Sequence, residues 1–201
     1  MLLSRLSVIP HFKPFTPTLT HNRGFWEFVN MMFNKPDPDR IKLLGPDRAC
    51  AEWVLRNGGK VVWTNGLACA DYNLLPPENQ KTLQIAELDA TDSGISHYGF
   101  PHLTGCTALW KIILHNASYI DNRALMGLAY GKSALTYVEV SKCLNVTDSG
   151  LKELKVLEKL KTLVLFNLES VNNLDECKHY LQQHLPKCKI EDGASEMNQQ
   201  F

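Results

Sequence analysis

One short hydrophobic pattern, L-x-x-[apolar]-x-[Leu/Val], occurs four times in the second half of the chain. The copies are Leu83/Ala86/Leu88, Leu109/Ile112/Leu114, Leu135/Val138/Val140 and Leu160/Leu163/Leu165. Their first positions lie 26, 26 and 25 residues apart. Apolar and other residues alternate inside each copy, as a half-buried strand requires, because successive side chains point to opposite faces. The fixed period predicts leucine-rich repeats, each a strand followed by a helical connection. A single repeat cannot bury its apolar face, so the copies must stack. The expected fold is therefore α/β: a leucine-rich-repeat solenoid of about four repeats over residues 81–192, preceded by a cap.

The strand residues that alternate with the buried ones should line the concave face. They are Ile85, Glu87 and Asp89; Lys111, Ile113 and His115; Tyr137, Glu139 and Ser141; and Thr162, Val164 and Phe166. Ile113, Tyr137, Val164 and Phe166 are its apolar and aromatic members and its candidate protein contacts, since interfaces combine such residues with a polar rim. Two repeats continue alike, Ala90-Thr-Asp-Ser-Gly-Ile95 and Val146-Thr-Asp-Ser-Gly-Leu151. Thr or Asp there is expected to cap the following helical turn. Asp89, Asp92, Asp121 and Asp148 recur at repeat spacing, which fits capping, needed in every unit, rather than acid–base catalysis, needed once. No nucleophile arrangement or phosphate-cradling glycine loop is legible, so the chain reads as a non-enzyme with no small-molecule substrate.

Residues 25–80 carry a different pattern, expected to form an N-terminal αβ cap. Phe25, Phe28, Val29, Met32 and Phe33 are spaced as one stripe of a helix, which Pro36 and Pro38 are expected to stop. A second helix should begin with Gly45 at the N-cap and Pro46 after it, end near Arg56, and bury Ala49, Cys50, Trp53 and Val54. Lys60–Trp63 reads as a strand. The Phe/Met stripe either packs the cap or holds the protein to a membrane or a partner. It has more large apolar side chains than a small cap needs, so Phe25, Phe28, Met32 and Phe33 are assigned as protein-binding residues.

Charge changes the picture only at the N-terminus. The formal net charge of the whole chain is zero, and no basic cluster interleaved with aromatics points to nucleic acid. Residues 1–24 include Arg5, Lys13 and Arg23 and no acidic residue, with several Ser, Thr and apolar residues. That is the composition of a mitochondrial targeting segment. Residues 193–201 read as a disordered tail. The six cysteines are scattered without metal-ligand spacing, so reduced core thiols are expected. No apolar run is long enough to span a bilayer.

Several runs together resemble the mitochondrial coupling factor B, or ATP synthase subunit s, family. They are F-W-E-F-V-N-M-M-F-N-K (25–35), D-R-I-K-L-L-G-P-D-R-A-C-A-E-W-V-L-R-N-G-G (39–59), D-Y-N-L-L-P (71–76), D-A-T-D-S (89–93) and N-V-T-D-S-G-L (145–151). The resemblance implies a peripheral protein on the matrix side of the mitochondrial inner membrane. Its partners would be membrane-sector subunits of the ATP synthase, and it would regulate coupling of proton transport to ATP synthesis. A sister branch implies an alternative, assembly of the membrane arm of respiratory complex I; a general leucine-rich adaptor is a third reading. The resemblance also implies a Mg2+ ion at the cap, near Gly45 and a threonine whose position is Pro77 here; no other cofactor is implied. The family's C-x-C pair falls on His115-Asn116-Ala117, where no dithiol mechanism can operate.

Overall fold

The structure, a computed structural model, describes residues 23–78 and 82–193. The expected targeting segment up to residue 22 and the tail from 194 lie outside the described residues. Three helices open the fold: α1 (Arg23–Asn34), α2 (Pro38–Leu44) and α3 (Pro46–Arg56). α1 ends just before Pro36, as expected, and α2 is a further helix, not foreseen, that begins at Pro38. Asp37 accepts the N–H groups of Asp39 and Arg40 at 3.0 and 3.1 Å, and Pro38 stands in the first turn, where its missing N–H costs nothing. Gly45, at φ +88°, both ends α2 and begins α3, a backbone shape open to glycine. α3 matches its expected start and end, and Ala49, Cys50, Trp53 and Val54 are buried.

Among the described residues the strands form one seven-stranded sheet. They are β1 (Lys60–Trp63), β2 (Ala68–Cys69), β3 (Ile85–Asp89), β4 (Lys111–His115), β5 (Tyr137–Ser141), β6 (Thr162–Phe166) and β7 (Lys189–Glu191). The spatial order is β2-β1-β3-β4-β5-β6-β7. β1 pairs antiparallel with β2 and β3, and every later pairing is parallel. The register aligns Ile112, Val138 and Leu163, and beside them Leu114, Val140 and Leu165. All six are buried, so each rung repeats the last. Asn116, Lys142 and Asn167 each follow a strand directly, and each has a positive φ near 50°. This shared turn sends Ala117, Cys143 and Leu168 into the core, where the Cys143 thiol meets the Leu114 carbonyl at 3.3 Å.

The connections on the other side are unequal. A 3-10 segment, His97–Leu103, follows β3; α4 (Asn122–Gly127) follows β4; α5 (Asp148–Glu153) follows β5; and α6 (Leu174–His184) follows β6. Asp121 caps α4 through the Ala124 N–H at 3.0 Å. Asp148 instead reaches the next repeat and accepts the Asn172 and Asn173 N–H groups, each at 2.9 Å. These two bonds hold its carboxyl down at about 2. Thr147 makes no capping bond to α5. The matching T-D-S-G words thus serve different ends: one leads into an α-helix, the other into a 3-10 segment containing Pro101.

Concave-face expectations are corrected at three positions: Ile85, Val164 and Ser141, the last fully buried. In β3, Ile85 is buried and Ala86 only half-buried. The reason is a bulge: Trp63 pairs with Ile85 but Val62 with Glu87, leaving Ala86 as an extra residue that reverses the alternation upstream. In β6, Val164 does lie in the concave row but is only 2 % exposed; its pairing neighbours are Glu139 and Glu191. One hydrophobic cluster runs from Cys50 to Cys188, joining cap helix, sheet and final helix.

Candidate interaction surfaces

α1 is built the reverse of an ordinary surface helix. Its body-facing side is polar. Asn34 is fully buried; its side-chain oxygen accepts the Trp53 indole N–H and the Ser96 N–H, each at 2.9 Å. Its amide donates to the Asn30 and Gly94 carbonyls and to Asn57 Oδ1. Asn30, one turn earlier, also donates to the Gly94 carbonyl at 2.8 Å. The apolar side faces out: Phe25, Trp26, Phe28, Met32 and Phe33 are each 50–57 % exposed. Five large apolar side chains thus stand exposed on one short helix, and the Phe25 and Trp26 rings touch edge to face at 5.4 Å.

The concave face is tighter and more polar. Ile113, Tyr137 and Phe166 are half-buried, and Val164 is covered as described. Lys111 ion-pairs with Glu87 at 3.3 Å and lies over the rings of Trp110 and Tyr137. His115, Ser141 and Glu139 form a chain: His115 Nδ1 is 2.7 Å from Ser141 Oγ, which donates to Glu139 Oε1 at 2.7 Å. The trio does not form a nucleophile site. Ser141 is fully buried, and its proton is committed to the carboxylate rather than to the imidazole. The Phe166 ring tilts against His115 at 6.0 Å and packs on Gly193, where a Cβ would fall 2.1 Å from the ring.

The cap does not present a magnesium site. The Gly45 carbonyl accepts the Ala49 N–H at 3.2 Å, and Asp47 accepts the Ile85 N–H at 2.9 Å. The Arg48 guanidinium donates to the Pro76 carbonyl, placing a positive charge beside the exposed Pro77. Arg48 and Arg40 also share the buried Glu52, at 3.0 and 2.9 Å. Burial pushes the Glu52 carboxyl up, but the two guanidiniums prevail and hold it below its usual range. Pro77 offers no hydroxyl, and among the described residues no three His, Cys, Asp or Glu side chains converge. With those oxygens engaged and a fixed cation in place, the residues do not fit Mg2+.

No family model matches the chain. A rat protein named "ATP synthase subunit s, mitochondrial" is 36 % identical over 178 residues, covering 87 % of this chain and 89 % of its own length. The human protein of that name is 34 % identical over 183 residues with the same coverage. The chain belongs to the mitochondrial ATP synthase subunit s family. A Drosophila melanogaster protein named "Distal membrane arm assembly component 2" is more distant, at 26 % identity over 158 residues, or 76 % of this chain and 56 % of its own.

Within this subunit s family member, the expected contact residues separate. The structure brings Phe25, Phe28, Met32 and Phe33 together on α1. It sets Ile113, Tyr137, Val164 and Phe166 on the sheet, largely covered. Residue patterning passed over Trp26, which extends the exposed patch, and Asn30 and Asn34, which turn it outward. The signal was present: two asparagines four residues apart lie on one face of a helix otherwise rich in Phe and Met.

Proposed function

We propose that this protein is a non-enzymatic, peripheral component on the matrix side of the mitochondrial inner membrane, associated with the membrane sector of the ATP synthase and regulating its coupling. Family membership supports the mitochondrial and ATP synthase parts of this reading. The parallel stack of β3 to β7, whose paired residues lie 24–27 positions apart, supports a leucine-rich-repeat solenoid over residues 81–192 as the scaffold, with residues 25–80 as its cap. The observation that carries the attachment is α1, whose polar side grips the body while five large apolar side chains face out. No helix of the described residues is long and apolar enough to cross a membrane, and α1 can attach without crossing.

The test is sedimentation with inner membranes at moderate salt. Phe28→Asp with Met32→Asp should release the protein while its melting temperature stays unchanged, because both side chains already face out. A variant that melts normally and still sediments overturns the assignment of α1. Release by Phe166→Asp instead would move attachment to the sheet face. The Drosophila relative favours a second reading, assembly of a respiratory complex membrane arm. Co-purification from mitochondria separates the two: synthase subunits support the first reading and respiratory-arm subunits the second.

A further inference from the structure

Beside α1 lies a groove of about 880 Å³ that neither the outward side of that helix nor the sheet face accounts for. α1 forms one wall, and the turns after β3, β4 and β5 form the other. Rings line both walls, Trp26 from the helix and Tyr98 and Tyr119 from the turns. Trp26 and Tyr119 are exposed, so their faces are open to an occupant.

The polar groups of the groove are weighted toward acceptors. Glu27, on the helix wall, has no ion pair among the described side chains. Asn30 and Asn145 spend amide N–H groups on the Gly94 and Ser118 carbonyls, at 2.8 and 2.7 Å, which leaves their side-chain oxygens to accept. Burial and the Arg123 charge hold His97 below its usual range, so its imidazole is uncharged near neutral pH and offers a lone pair. Arg123 carries positive charge in the groove, but its guanidinium is tied to Asp121 by contacts of 2.8 and 2.7 Å. The Ser96 hydroxyl, buried in the wall formed by the turns, has no hydrogen-bond partner among the described residues.

These features select an occupant. Surplus acceptors call for N–H donors, an unpaired carboxylate calls for positive charge, and open ring faces call for a flat group that stacks. A guanidinium meets every one of these demands, being a charged plane of N–H donors with no acceptor. An ammonium has charge and donors but is not flat, and stacks less well. The groove is near the upper end of the range for drug-sized ligands, about 300–1,000 Å³, which is more than one side chain fills. The guanidinium therefore belongs to an arginine within a peptide, whose backbone carbonyls suit the Ser96 hydroxyl. We propose that the groove binds an arginine-bearing peptide segment of a partner protein, with the guanidinium paired to Glu27 and stacked on the Trp26 ring. The site uses neither Phe28 nor Met32, so it stands apart from the attachment proposed above.

The probe is acetyl-Ala-Arg-Ala-amide, titrated into the isotope-labelled full chain, with the indole N–H signals followed by NMR and that of Trp26 identified with Trp26→Phe. The arginine peptide should shift the Trp26 signal saturably. The same peptide with citrulline, which keeps the shape and loses the charge, should bind about tenfold more weakly, because it forfeits the charge-assisted bonds. Glu27→Gln should weaken the arginine peptide by about the same factor at unchanged melting temperature, since the Glu27 side chain is exposed. Equal binding of the arginine and citrulline peptides, or undiminished binding to Glu27→Gln, would overturn the proposal. A lysine peptide that binds as tightly would overturn the choice of a guanidinium, and shifts at Trp110 with none at Trp26 would place binding elsewhere. The measurement contains no membrane, so its failure leaves the α1 attachment standing.

Discussion

His102 shows how one buried side chain sets a pH limit. Its ring stacks on Trp53 at 5.2 Å, nearly parallel, and its Nδ1 finds no partner among the described residues. Burial, reinforced by the Arg56 charge, lowers its pKa to about 4. Between about 6.5 and 4 the unfolded chain therefore binds a proton that the folded chain refuses. Stability is full above 6.5 and falls as the pH drops through that window, by on the order of 3 kcal/mol from this group. Urea unfolding at pH 7.5 and 4.5 should show the loss, and His102→Gln should flatten it; an equal slope in the variant would remove His102 as its source. At this scale the sequence was least legible. Val164 lies on the open face by alternation yet is buried, and Ile85 turns inward because of a bulge that arises from pairing with β1. Both depend on strands remote in sequence, which local patterning cannot register.

Helices and strands were read unevenly, for traceable reasons. Strands β4 to β6 were legible because two periodicities coincide, alternation by two and recurrence every 25 or 26 residues. α2 was missed because its Pro38 was read as a breaker, although Asp37 before it makes the pair an N-cap and first-turn signal. α1 was legible as a helix with surplus apolar residues; its orientation needed Asn30 and Asn34. The structure makes Asn34 the fulcrum. Asn34→Ala leaves the buried Trp53 indole N–H and the Ser96 N–H without partners, costing about 1–3 kcal/mol for each unsatisfied group. Hydrogen exchange should then show α1 amides opening readily while those of β4 and β5 stay protected. Unchanged protection of α1 would mean that other contacts hold it.

At the scale of the whole molecule, the described strands form one sheet and the buried residues from Cys50 to Cys188 one core, so damage in the middle should be felt at the end. Leu114 is fully buried in the central rung, and Leu114→Ala is expected to cost roughly 2–5 kcal/mol. Trp53 and Trp63, both buried in the cap, should report the same loss by fluorescence as circular dichroism does for the entire chain. A smaller loss at the tryptophans would show that the cap unfolds separately. Glu139→Ala, on the same sheet but facing the other way, should cost about 1 kcal/mol, the worth of the Ser141 hydrogen bond. Losses of equal size would contradict the register.

The polar underside of α1 has a thermodynamic consequence of its own. A helix seated through oil resists lifting because both parted surfaces meet water at a cost that grows with area. Lifting α1 parts amides, carbonyls and an indole N–H, bonds that water can largely replace, and exposes further only the half-buried Val29 and Met31 among its apolar side chains with partial cover. Its aromatic side is already wet before it leaves. The work of peeling the helix away is thus set more by its polar bonds than by apolar area, while the far side keeps its hydrophobic gain for whatever covers it.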